Sequence, residues 1–167
     1  MVTEGGIEMP DLFSASEMVR MAIQTEQNGT IFYKALAESA RSESVREFAG
    51  LMAAEEMRHE GIFRQMLPKV AERGRPEAYP GEFASYAQVL LETKVLPDAE
   101  AARECALNCQ TDADAIAMAV QFEKDTILFM YEMRELAPQS ERPVVDEMLA
   151  EEKRHVIMLT EKRKSID

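Results

Sequence analysis

The sequence predicts an all-α fold: a four-helix bundle of two antiparallel helix hairpins joined by a long, partly helical crossover. Three observations predict it. Apolar residues recur at steps of three and four in four long segments, and strand-like alternation is weak throughout. The two outer pairs of segments are joined by short turns, which makes each pair antiparallel neighbours. The frame Glu-x-x-His occurs twice, in "EEMRH" at 55–59 and "EEKRH" at 151–155, and holds the only two histidines in 167 residues.

Each element has its own start and stop signals. Ser14, Ala15, Ser16 and Glu17 fit a capping box that opens a first helix running to about residue 41. Ser42 or Ser44 opens a second, which Pro68 is expected to end or kink. Thr111, with Asp112 and Asp114, starts a third that stops before Pro138. Pro143 suits the first turn of a fourth, which runs nearly to the last residue. The expected organisation is a single domain over 1–167, with hairpins at 14–70 and 111–165 and a crossover at 71–110. Within the crossover, "FASYAQVLLETK" and "DAEAARECALN" carry shorter helical patterns, and Val89, Leu90, Val95 and Leu96 are its expected buried residues. Such amphipathic helices need a surface to cover, which leads to the expectation of a homodimer or small oligomer rather than a cage.

A net charge of −12 argues against nucleic acid as a partner. No apolar run of membrane-spanning length and no export leader is apparent, so no membrane partner and a cytoplasmic location are expected. Cys105 and Cys109 are too few for a disulfide framework, no CxxC pair occurs, and neither is expected to bind metal.

The inward faces carry the chemistry. The first helix presents Val19, Ala22, Glu26, Gly29, Tyr33, Leu36 and Ala40, and the second Ala49, Met52, Glu56, His59, Phe63 and Met66. The third presents Ile116, Ala119, Glu123, Thr126, Met130 and Met133, and the fourth Val145, Met148, Glu152, His155 and Leu159. Each half thus supplies one lone glutamate and then Glu-x-x-His on the next helix; Glu26 to Glu56 is 30 positions and Glu123 to Glu152 is 29. Four buried carboxylates would repel and each would lose hydration worth several kcal/mol, whereas two divalent cations balance them. Glu26, Glu56, His59, Glu123, Glu152 and His155 therefore predict a dinuclear metal site. Carboxylate and imidazole without thiolate suit iron or manganese and tolerate zinc. Glu55 and Glu151 lie about 100° round the helix, off the seam, as solvated residues or supports for the ligands.

This ligand pattern resembles the ferritin-like di-iron superfamily. That resemblance covers nearly the whole chain outside the crossover, and within the superfamily "EQNGTIFY" and "EEMRHEGIFRQML" look most like the rubrerythrin family. The resemblance implies two iron ions, with Glu56 and Glu152 bridging, Glu26 and Glu123 terminal, and His59 and His155 completing the set. It places Tyr33 and Tyr131 beside the irons, where their hydroxyls would steady the bridging carboxylates. It also implies a non-haem oxidoreductase that reduces peroxide or dioxygen. Thr126 stands where rubrerythrins carry an extra carboxylate, and the cysteines of a rubredoxin-type domain do not occur, so an external electron donor is expected. The more symmetrical six-ligand set is similar also to bacterioferritins, in which Met57 would be a haem ligand. That resemblance implies the alternative of a ferroxidase or iron store. A non-catalytic metal-binding bundle is the third reading.

Overall fold

The computed structural model describes residues 15–71 and 98–166. Among these residues five helices follow in order: α1 (Ala15–Ser39), α2 (Glu43–Ala71), α3 (Ala99–Leu107), α4 (Asp112–Leu136) and α5 (Arg142–Lys164). No strand occurs among the described residues. Helices α1 and α2 form one antiparallel hairpin, α4 and α5 the other, and α3 lies against α1. The Ser14 cap and the segment with Val89, Leu90, Val95 and Leu96 fall outside the described residues. No described helix is long and apolar enough to cross a membrane.

Local chemistry sets the helix ends. Thr111 caps α4 by accepting from the Asp114 N–H at 3.1 Å, and Asp98 caps α3 by accepting from Ala101 at 2.9 Å. Pro143 stands in the first turn of α5, where its missing N–H has no helical partner to lose. Pro68 does not end α2, which continues to Ala71. So close to the C-terminus a proline removes one hydrogen bond to the preceding turn, and only one short stretch of helix depends on it. At both hairpin turns an arginine of the second helix caps the first. Arg46 donates to the carbonyls of Ala40 and Arg41, and Arg142 to those of Ala137 and Glu135. Asp112 ties the hairpins together, its carboxylate accepting from the N–H groups of Arg41 and Ser42 at 2.9 and 2.8 Å.

The core has two apolar layers. One gathers Val19, Ala22, Phe63, Met66, Met130, Met133, Val145 and Met148. The other gathers Phe32, Leu36, Ala49, Met52, Ile116, Ala119 and Leu159, with Ala102 and Ala106 of α3 packed in. Each fully buried large side chain contributes roughly 1.5–3 kcal/mol. Every inward position expected of the four long helices is buried except Gly29, which is half-buried. The six glutamates and histidines lie in the stripes between the two layers. Packing on both sides therefore holds a polar layer that could not assemble by itself.

Candidate metal centre

Glu26 of α1, Glu56 and His59 of α2, Glu123 of α4, and Glu152 and His155 of α5 are all buried, between 0% and 4% exposed. Residues three apart on a helix project from one side, so each Glu-x-x-His presents both groups together. Glu56, His59, Glu152 and His155 each turn a ligand atom to within 4.8 Å of the others. Glu152 lies at the centre. Its Oε1 is 2.7 Å from His59 Nδ1, and its Oε2 is 2.9 Å from His155 Nδ1. Glu26 Oε2 approaches His59 Nδ1 at 3.5 Å, while Glu56 and Glu123 approach His155 Nδ1 at 3.7 and 3.8 Å. The two imidazoles stack with ring centroids 5.3 Å apart. The structure thus brings together all six residues expected to be ligands.

The charges are strained by burial. Burial pushes the Glu26 carboxyl up to about 7 against the pull of His59, and burial with Glu152 pushes Glu123 up to about 8. Glu56 is raised by burial and by the carboxylates of Glu123 and Glu26. For the imidazoles burial acts in the opposite direction, but the carboxylates prevail. Glu152 and Glu26 hold His59 near 11, and Glu123 and Glu152 hold His155 near 9. Glu152 is the exception among the carboxyls: despite burial, His155 and His59 keep it below the usual range. Without cations, then, protons and imidazolium charge carry the balance.

That balance leaves atoms unpartnered. Both Glu26 oxygens, Glu56 Oε1, Glu152 Oε1 and His59 Nδ1 are buried without a hydrogen bond. His59 Nδ1 and Glu152 Oε1 are close enough to attract but are not aligned for one. Buried polar atoms normally find partners. Five orphans converging from three helices fit a cation, which takes lone pairs from several directions at once.

The surroundings differ from expectation at several points. The Tyr33 hydroxyl donates to Glu123 Oε1, the lone glutamate of α4, and not to Glu56 or Glu152. Tyr131 is not beside the cluster. It is 44% exposed, with Lys153 Nζ 5.1 Å from its ring centroid. Helical rotation explains the split, because seven residues return to within about 20° of the starting face and eight overshoot by about 80°. Met57 is exposed. Glu151, placed off the seam, accepts from His59 Nε2 at 2.8 Å and is bound in turn by Arg58. The spacing cannot reveal that contact, because it crosses from α5 to α2.

Gly29 permits a close approach. A Cβ there would collide with Glu56 Oε2 and lie 3.1 Å from its Cδ. Beside these atoms is a cavity of about 20 Å³, lined by Gly29, Tyr33, Glu56, Glu123 and Thr126 among others. It has room for a guest about the size of one water.

Neither a curated protein nor a solved structure matches the chain. The sequence model of the rubrerythrin family matches residues 17–162, a span that contains all six clustered glutamates and histidines. The chain belongs to the rubrerythrin family, and its buried Glu/His cluster fits a di-iron site.

Proposed function

We propose that the chain is a non-haem di-iron oxidoreductase of rubrerythrin type that reduces peroxide, or dioxygen, with electrons from an external donor. One observation carries this reading: the five orphaned polar atoms among the buried glutamates and His59. Glu26 and His59 would serve one ion, Glu123 and His155 the other, with Glu56 and Glu152 shared between them. When bound, two ferrous ions supply one electron each, the two electrons that convert hydrogen peroxide and two protons into two waters.

The chain's own residues do the rest. Their burial excludes bulk water, and the packed layers above and below keep the ligands in register. The Tyr33 hydroxyl fixes the rotamer of Glu123. The cavity beside Glu56 and Glu123 is sized for a small oxidant, with Thr126 in its wall.

Metal analysis of protein purified without oxygen, followed by rapid mixing with peroxide and with dioxygen, tests the proposal. We expect two irons per chain, oxidised faster by peroxide. An iron-free protein, or bound iron that peroxide leaves ferrous, would overturn it. Thr126, in place of a further carboxylate, favours a second reading as a ferroxidase that stores iron. The redox reading goes with a small assembly, a homodimer, and light scattering at a mass far above that would reverse the order.

A further inference from the structure

The two histidines stand in repeated frames but are not supported alike. His59 turns Nδ1 inward to Glu152 and Nε2 outward to Glu151 Oε2 at 2.8 Å. Glu151 is itself held: Arg58 donates to the same oxygen, and Arg154 stands 3.5 Å from the other. The same Arg58 nitrogen also donates to Glu55 at 2.7 Å. The His59 ring is therefore gripped from behind by a chain of charged groups running Glu151, Arg58, Glu55.

In the repeat, Glu55 would have to grip His155 as Glu151 grips His59. It does not. His155 turns Nδ1 inward to Glu152, and among the described residues no group lies within hydrogen-bond reach of its Nε2. Its outer edge faces an open groove of about 320 Å³ lined by Leu51, Met52, Glu55, Arg154 and Met158, and by Glu151, whose carboxylate is turned to His59 and Arg58. Both arginines of the repeated frames have gone to Glu151, and Glu55 is engaged with Arg58 on its own helix.

We propose that Glu151 is a positioning residue that makes the two metal positions unequal, the His59 position binding tightly and the His155 position weakly and exchangeably. The physical reason is the state in which each ring waits. A carboxylate behind Nε2 anchors the outer edge of the ring, aims Nδ1 at the cluster, and removes the ring's freedom to rotate. His155 is held by a hydrogen bond at Nδ1 alone, and that bond to Glu152 has to be given up when an ion arrives. Loss of such a partner typically weakens metal binding by about 10–100-fold. The inference rests on the dinuclear reading above.

Cobalt(II) titration of the metal-free protein against a competing chelator, followed by absorbance, separates the two steps. We expect two resolved steps in the unaltered chain, with His155→Ala abolishing the weaker. Glu151→Ala should weaken the tighter step by about 10–100-fold and leave the weaker within a few-fold. Glu151→Gln keeps an acceptor for the Nε2 proton and should restore most of the loss. Glu151→Gln falling as far as Glu151→Ala would assign the effect to charge and overturn the positioning role. So would Glu151→Ala weakening both steps alike or neither, or His155→Ala removing the tighter step. Failure of the unaltered chain to take up a second ion would overturn the dinuclear reading and the inference with it. Glu151 is partly exposed on α5, and the helical circular dichroism of each metal-free variant checks that the fold is kept.

Discussion

The α1–α2 hairpin and the α4–α5 hairpin repeat one frame, and they differ just beyond it. Three residues after the lone glutamate stands Gly29 in one and Thr126 in the other; seven after stands Tyr33 in one and Met130 in the other. Tyr33 crosses the bundle to Glu123, whereas Met130 joins an apolar layer. The comparison separates two kinds of constraint. Positions that would touch a cation are matched, as the proposed pair of like ions would require. Positions that hold those ligands in place are free to differ, and their differences make the halves unequal.

The largest effect should come from the groups shared by both halves. Glu152 offers one oxygen to each histidine. Glu152→Ala and Glu56→Ala should each lose both ions, whereas Glu26→Ala or Glu123→Ala should impair one position. Metal per chain after desalting decides it. A Glu152→Ala protein that keeps one full equivalent would mean that the halves bind independently.

Next in size is the response of the metal-free protein to pH. Glu26 and Glu123, ordinarily at 4.5, are raised to about 7 and 8, and the histidines, ordinarily at 6.5, to about 11 and 9. Between each pair of values the folded chain holds more protons than the unfolded one, so stability falls as pH rises through that window. Glu152 is lowered, so its contribution is lost only as pH falls below about 4.5. The melting temperature without metal should therefore peak near pH 5 and fall by at least several degrees by pH 9. Cations replace those protons, so metal binding should release them, and metal affinity should rise with pH. A metal-free melting temperature that climbs from pH 5 to 8 would refute this account. The halves should differ too: His155 should lose its proton before His59, a sequence that nitrogen-15 shifts of the two rings would follow.

Much of this was legible in the sequence, and the misses have physical causes. Steps of three and four located the buried stripes because helix geometry is local, and Glu26, Glu56, His59, Glu123, Glu152 and His155 lie on those stripes. Tyr131 was misplaced because one extra residue turns a side chain by about 100°. Pro68 does not end its helix as one of its two expected effects would have it, because the penalty for a proline depends on how much helix remains after it. Asp112 reads as a favourable first-turn acid, yet its two bonds go to another hairpin. Glu151 reads as either a solvated residue or a support for the ligands, and only its contact with His59 decides between them. Contacts that cross between helices leave no period in the chain.

Gly29 and Thr126 offer a way to sharpen the comparison without removing a ligand. Gly29→Ala places a methyl against the end of the Glu56 side chain, which has to move. Helix propensity favours alanine by roughly 0.5–1 kcal/mol, offsetting much of the crowding in the metal-free state. The melting temperature without metal should change little, while metal affinity drops. Thr126→Ala only enlarges the cavity wall and should leave affinity within a few-fold. Equal losses of affinity in both variants would mean that Gly29 has no special relation to Glu56.

The smallest effect separates the two tyrosines. Tyr33→Phe keeps the ring, which packs edge-on against Phe32 with centroids 5.3 Å apart, and removes only the hydroxyl. Glu123 Oε1 would lose its donor in a buried place, a loss of roughly 1–3 kcal/mol. Tyr131→Phe removes a hydroxyl from an exposed side chain and keeps the ring that Lys153 covers, so stability should stay within about 0.5 kcal/mol. Urea denaturation of both metal-free variants measures the difference. Adding metal makes the test sharper, because a bound cation would take up the Glu123 oxygens and reduce their dependence on Tyr33. The Tyr33→Phe deficit should therefore shrink when metal is present. A deficit that is the same with and without metal would mean that the hydroxyl supports the fold alone, and that the inequality of the two halves at this position does not reach the metal centre.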